Sequence, residues 1–183
     1  NRVYGRVPDN SVMFCNIQDY ITMKLANNKM PVTHISNAAG FGFYSIEKLD
    51  FDSIAIEKIL CDRKRLPRVT AEAEIIGTDG GIPVTVAIGD NQASFLGSVS
   101  DENSVLVNIG TGSQVSVLTD KKDGFAEGEI RPFSKTENLL VGAPLCGGRS
   151  YALLKSFFEK TLQCFGVSAD KIYSVMDKMA AED

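Results

Sequence analysis

The chain has little of what marks a membrane, secreted or nucleic-acid-binding protein. No apolar stretch approaches the ~20 residues needed to span a bilayer, and the start, Asn1-Arg2-Val3-Tyr4, carries neither an initiator Met nor a signal-peptide pattern. Charge of one sign is scarce: 19 Lys and Arg stand against 23 Asp and Glu, and the densest basic run is Arg63-Lys64-Arg65. That balance argues against nucleic acid or an anionic membrane as the main partner and leaves the cluster as a solvated turn. Histidine occurs once, at His34, which by itself supports no acid-base or metal role and reads as a structural, hydrogen-bonded or surface residue. The four cysteines, Cys15, Cys61, Cys146 and Cys164, form no CxxC pair and have apolar neighbours. They are expected to be buried reduced thiols of a cytoplasmic protein, with no metal-binding residue among them. There is no internal repeat and no low-complexity tract.

What is present fits a folded chain of 183 residues, 44% apolar, with strands mixed among amphipathic helices, which is an α/β pattern. Met13, Phe14, Ile17, Tyr20, Ile21 and Leu25 recur at helical spacing and predict a helix from about Ser11 to Asn28 with those residues inward. Pro31 to Gly42 is irregular and rich in small and hydroxyl residues; His34, Ser36 and Asn37 are expected to pack there rather than to line a cleft. A short helix capped by Asp52 or Ser53 follows, then a polar segment from Arg68 to Gly81 and a core strand over Val84–Ile88. Asn91 to Leu96 reads as a short buried helix. Strands are expected over Ser104–Ile109, Ser113–Thr119 and Asn138–Ala143, with Asp120–Glu137 as a polar excursion. A helix opens at Gly147-Gly148, and another at a Ser168 cap.

Three motifs carry a chemical reading. Asp90 ends an apolar run before a helix, where it is either a helix cap or a carboxylate at a cleft mouth, placed to accept a proton from a hydroxyl. Gly110-Thr111-Gly112 is either a hairpin turn or a concavity of N–H groups and a hydroxyl that holds a phosphate. Gly147-Gly148 is either a plain helix start or a place where a nucleotide lies against backbone.

In order and spacing, GDNQASFLG, VLVNIGTGSQVSVL and LVGAPLCGGRSYALL, preceded by QDYITMKLANNKMPVTHISNAAGFGFYSIEKLDF, resemble the FGGY family of ATP-dependent carbohydrate kinases. Within it the look is nearest to the sedoheptulokinases, through Gln18-Asp19-Tyr20, Asn37-Ala38-Ala39, Val86 to Ser94 and Gly147-Gly148. The resemblance implies an α/β, actin-like ATPase (ribonuclease H-like) fold. Residues 1–98 would end a sugar-binding domain and 101–183 would begin a nucleotide-binding one. It also implies a transferase of carbohydrate metabolism that phosphorylates a sugar hydroxyl. By that resemblance Asp90 is the general base and binds the sugar beside Asn91, while Gly110, Thr111, Gly112 and Gly148 bind ATP, with Mg²⁺ as cofactor. Ala152 stands where some relatives carry a polar nucleotide contact. The partners implied are the sugar and ATP, with no nucleic acid and no membrane, and a homodimer left open. Alternatives are a xylulokinase-like or other polyol kinase, a noncatalytic relative of the same fold, or a different actin-like ATPase. Two family elements, a first phosphate loop and a Gly-rich adenosine motif, are not found. The chain is therefore expected to be the central part of a longer kinase, with little activity alone.

Overall fold

A computed structural model describes residues 12–59, 61–101, 103–123, 128–143, 146–168 and 170–182. Helix α1 spans Ile17–Leu25 and ends at Asn27, whose φ of 53° is one that Asn tolerates. Its expected orientation is reversed. Ile17 is 72% exposed, Tyr20, Ile21 and Leu25 are exposed too, and the residue that α1 buries fully is Asp19. The cause is local: the amide of Asn37 reaches toward the Asp19 carboxylate, and no described element covers the apolar stripe.

Strand β1 (Val32–His34) is buried along its whole length and runs straight into the single-turn helix α2 (Ile35–Ala38). Strands β2 (Tyr44–Ser45) and β3 (Asp50–Phe51) pair antiparallel. They lead to helix α3 (Ser53–Lys58), whose cap Asp52 accepts the N–H groups of Ile54 and Ala55, as expected. Ala38, Phe51, Ile56 and Leu66 form the core here, with Phe41 and Phe43 set edge-on or tilted against Phe51. Arg63 is not merely solvated. It pairs with Asp50 at 2.9 Å, lies over the Phe51 ring, and donates to the Leu66 and Pro67 carbonyls. Strand β4 (Arg68–Thr70) then pairs parallel with β1, placing His34 opposite Thr70.

The expected polar segment holds a hairpin: β5 (Ile75–Asp79) and β6 (Ile82–Thr85) are antiparallel. The turn between them is Gly80-Gly81, with φ of 55° and 85°, the two positive values a type I′ turn requires. The core strand expected over Val84–Ile88 stops at Thr85. Beyond it Val86 donates its N–H to the Glu74 carbonyl, Ala87 gives its carbonyl to Asn37, and Gly89 gives its N–H to Ser36. Side chains take the place of a neighbouring strand. Helix α4 (Asp90–Ser98) follows directly.

The chain continues through β7 (Leu106–Ile109), β8 (Ser113–Thr119), β9 (Glu129–Pro132), β10 (Asn138–Gly142), α5 (Gly148–Cys164) and α6 (Ile172–Glu182). It forms two compact units: residues up to Val105 with Ser116–Val141, and Leu106–Val115 with the residues from Gly142 onward. In the first, β10 lies between β8 and β9, which makes β9 an edge strand within the expected polar excursion. In the second, β7 and β8 are neighbours joined by three residues, too few for anything but an antiparallel hairpin.

Helix α5 buries none of its residues, and its Leu153, Phe157 and Phe158 are exposed. It meets α6 through stacked Tyr151 and Tyr173, and the Tyr151 hydroxyl donates to Asp177. Helix α6 begins at Ile172 rather than at a Ser168 cap, after Lys171 turns at φ 65°; Ala169 lies outside the described residues. The cysteines correct another expectation. Cys15 and Cys61 are half-buried, and Cys146, just before the uncovered α5, and Cys164, its last residue, are exposed. Among the described residues no helix is long and apolar enough to cross a membrane.

Candidate active site

The first unit carries a cleft of about 570 Å³ at the C-terminal end of β1, the end at which ligands bind in α/β folds. Asp90 lies on its wall as the first residue of α4. Gly89, not Asp90, occupies the cap position, and it makes no side-chain cap bond. Asp90 Oδ1 accepts from the Asn91 backbone N–H at 2.8 Å and from Asn91 Nδ2 at 2.9 Å. Oδ2 has no partner among the described residues.

Beneath Asp90 the backbone is held by side chains of α2. Ser36 Oγ accepts the Gly89 N–H at 2.8 Å and lies 2.8 Å from His34 Nδ1. That nitrogen also accepts the Ser36 N–H, so it is the unprotonated one and the hydroxyl donates to it. Asn37 Nδ2 donates to the Ala87 carbonyl at 2.9 Å, while its Oδ1 accepts from Gln18 Nε2 at 3.0 Å. Asn16 Nδ2 reaches the Asn37 carbonyl. Gln92, buried one turn into α4, donates to the Pro132 carbonyl at 2.7 Å and so ties α4 to β9. A side chain at Gly89 would put its Cβ 2.4 Å from Gln92 Oε1, so the Gln92 amide would have to shift to make room.

Burial sets the protonation of this network. It raises the Asp19 carboxyl above its ordinary range, against the opposing effects of Thr33, Asn37 and Asn16. Burial also lowers His34, although the Ala71 backbone and the Glu72 charge oppose it, which keeps the imidazole neutral as the Ser36 hydrogen bond requires.

The second unit holds the Gly110-Thr111-Gly112 turn against the start of α5. The N–H groups of Gly147, Gly148 and Arg149 donate to the carbonyls of Thr111, Gly110 and Thr111 in turn. A Cβ on Gly147 would lie 2.5 Å from the Gly112 carbonyl oxygen, and one on Gly148 would lie 2.9 Å from that of Gly110. Both glycines are therefore demanded by backbone packing. The first donors of α5 are already used, so a phosphate here would draw on the turn itself. Thr111 is exposed, its N–H and hydroxyl and the Gly112 N–H have no partner among the described residues, and a Cβ at Gly112 would meet open space. That donor set fits a phosphate group.

Of the residues singled out in the sequence, Asp90 and Asn91 share the first unit's cleft, and Gly110, Thr111, Gly112 and Gly148 meet in the second unit. Ser36 and Asn37, expected only to pack, line the cleft as well; His34 packs behind them. Sequence reasoning missed Asn16, Gln18, Glu129 and Arg131, which line the same cleft from α1 and β9. Among the described residues no three His, Cys, Asp or Glu side chains converge to hold a metal.

No protein-family profile matches the chain. It is 30% identical over 130 residues to glycerol kinase 2 of Saccharolobus solfataricus, covering 68% of this chain and 26% of that protein. It is 29% identical over 163 residues to glycerol kinase of Streptococcus sanguinis, covering 84% and 31%. The chain thus spans between a quarter and a third of the curated relatives it matches. Xylulose kinase from Rhodospirillum rubrum shares the fold with a TM-score of 0.74 at 17% identity, over 93% of this chain and 36% of that one. Plasmodium falciparum glycerol kinase with ADP does so with a TM-score of 0.66 at 20% identity, over 79% and 32%. The fold is accordingly the actin-like one of these enzymes, and the sequence similarity to glycerol kinases agrees with the resemblance to the FGGY carbohydrate kinases.

Proposed function

We propose that this chain is the central part of an ATP-dependent kinase that phosphorylates a hydroxyl of a ketose, such as sedoheptulose or xylulose, or of another polyol. The observation that carries the reading is Asp90. Its carboxylate has one oxygen held by Asn91 and the other unpartnered, and it faces a cleft walled by the amides of Asn16, Gln18, Asn37 and Asn91. Amides both donate and accept, which matches hydroxyl groups.

Residues 1–98 belong in this reading to a sugar-binding domain and 101–183 to a nucleotide-binding one. Asp90 accepts the proton of the reacting hydroxyl as that oxygen forms a bond to the γ-phosphorus of ATP and the bond from phosphorus to the bridging oxygen breaks, releasing ADP. Asn91 orients the acceptor and fixes the Asp90 rotamer. Thr111 and Gly112 donate to phosphate oxygens, with Gly110 and Gly148 shaping the backbone that presents them. ATP would supply the phosphoryl group, and Mg²⁺ brought with it would offset the phosphate charge, since no cluster of carboxylates among the described residues would hold the ion by itself. The remaining work is positioning and exclusion of water.

The test is acceptor-dependent ADP release by the full-length gene product, beside Asp90→Asn. The variant is expected to lose about 10²- to 10⁴-fold in kcat with the KM for ATP unchanged. Full activity in Asp90→Asn would refute the role of the carboxylate. The 183-residue chain on its own is expected to turn over negligibly.

A further inference from the structure

Arg131 and Glu129 are charged residues on a face where apolar ones belong. In the antiparallel register of β9 and β10, Arg131 stands opposite Leu139 and Glu129 opposite Val141, and both of those partners are buried. Directly opposed residues share one face of a sheet. Inward charges on an edge strand can serve only to block pairing with another strand. These two have a different setting, because both line the cleft that holds Asp90.

Their position is fixed relative to Asp90. Pro132, next to Arg131, gives its carbonyl to buried Gln92, two residues along α4 from Asp90. The Arg131 side chain, 25% exposed, donates to Glu129 at 2.8 Å, and Glu129 stands at the open side of the cleft with 66% of its side chain exposed. Among the described residues it is the cleft's one cationic side chain. An arginine meant for a phosphate would not be shared with a carboxylate that repels that phosphate. A Glu–Arg pair suits a neutral polyol, since the carboxylate accepts O–H groups while the guanidinium donates to oxygen.

We infer that the Glu129–Arg131 pair determines acceptor specificity by binding the distal hydroxyl or carbonyl oxygens of an open-chain polyol longer than three carbons, whose near end reacts at Asp90. The inference rests on the kinase reading above. It is tested with the full-length gene product by steady-state kinetics on glycerol, xylulose and sedoheptulose, comparing wild type with Arg131→Met and Glu129→Gln. Melting curves of each variant verify folding. Glu129→Gln keeps the guanidinium and serves if Arg131→Met unfolds.

The expected result is a loss of about tenfold to a hundredfold in kcat/KM for the best of the longer acceptors, with kcat/KM for glycerol and the KM for ATP changed less than about threefold. Equal losses on every acceptor, a raised KM for ATP, or unchanged kinetics in folded variants would each overturn the inference while leaving the kinase reading intact. A folded wild type that releases no ADP with any acceptor overturns both.

Discussion

The two units build their candidate sites by opposite means. In the first, side chains hold backbone: Asn37, Ser36 and Gln92 take up main-chain groups, and Asp90 is positioned as the result. In the second, backbone holds backbone, with Gly147 and Gly148 packed on the carbonyls of a Gly-Thr-Gly turn. The first should therefore be vulnerable to deletion of a side chain, and the second to addition of one.

The largest effect is expected at Gly147. Gly147→Ala puts a Cβ against backbone that cannot rotate away, and a cost of ~1–3 kcal/mol is expected in urea unfolding. Gly112→Ala, which meets open space, is expected to leave stability unchanged. Equal stabilities for the two variants would break the contrast.

Next comes Asn37→Ala, which strips the Ala87 carbonyl and Gln18 of their partner for a loss of about 1–2 kcal/mol. Asn37→Asp should do worse as pH rises, because it sets a second carboxylate beside Asp19. A stability profile for Asn37→Asp parallel to that of wild type would show that the network is not electrostatically tight.

The smallest effect belongs to Asp19 itself. Its folded pKa lies above the ordinary 3.8, so its contribution is full below that value and is lost as pH rises through the raised one. Measured against Asp19→Asn at each pH, wild type is expected to lose stability as pH rises across the window between the ordinary and the raised Asp19 pKa. His34 acts on the acid side: its folded pKa lies below 6.5, so stability falls as pH drops from 6.5 through the lowered value. Wild type more stable than Asp19→Asn at pH 8 would mean that the charged carboxylate is the form the network holds.

The motifs around Asp90 and Gly110–Gly112 were legible in the sequence because glycines punctuate apolar runs there, and local chemistry sets such boundaries. Asn16, Gln18, Glu129 and Arg131 were not, since only distant pairing brings α1 and β9 to the same cleft. The helical period of α1 was read correctly from Ile17 on, whereas Met13 and Phe14 precede the helix, and its inward face was read wrongly, because a period says that two faces differ and not which one is covered. The β5–β6 hairpin hid behind polar residues, although the pair Gly80-Gly81 was a visible turn signal. The alternation of β9 was obscured by the same two charges that make it interesting.

The hydrogen bonds that join the Gly-Thr-Gly turn to α5 make the turn the short arm of a lever. The 17 residues of α5 extend about 25 Å, so a tilt of about 5° at the turn moves the far end by about 2 Å. A group bound at Thr111 that tilted this junction would displace Cys164 and Phe165 through the backbone, without any side chain along the way having to change rotamer.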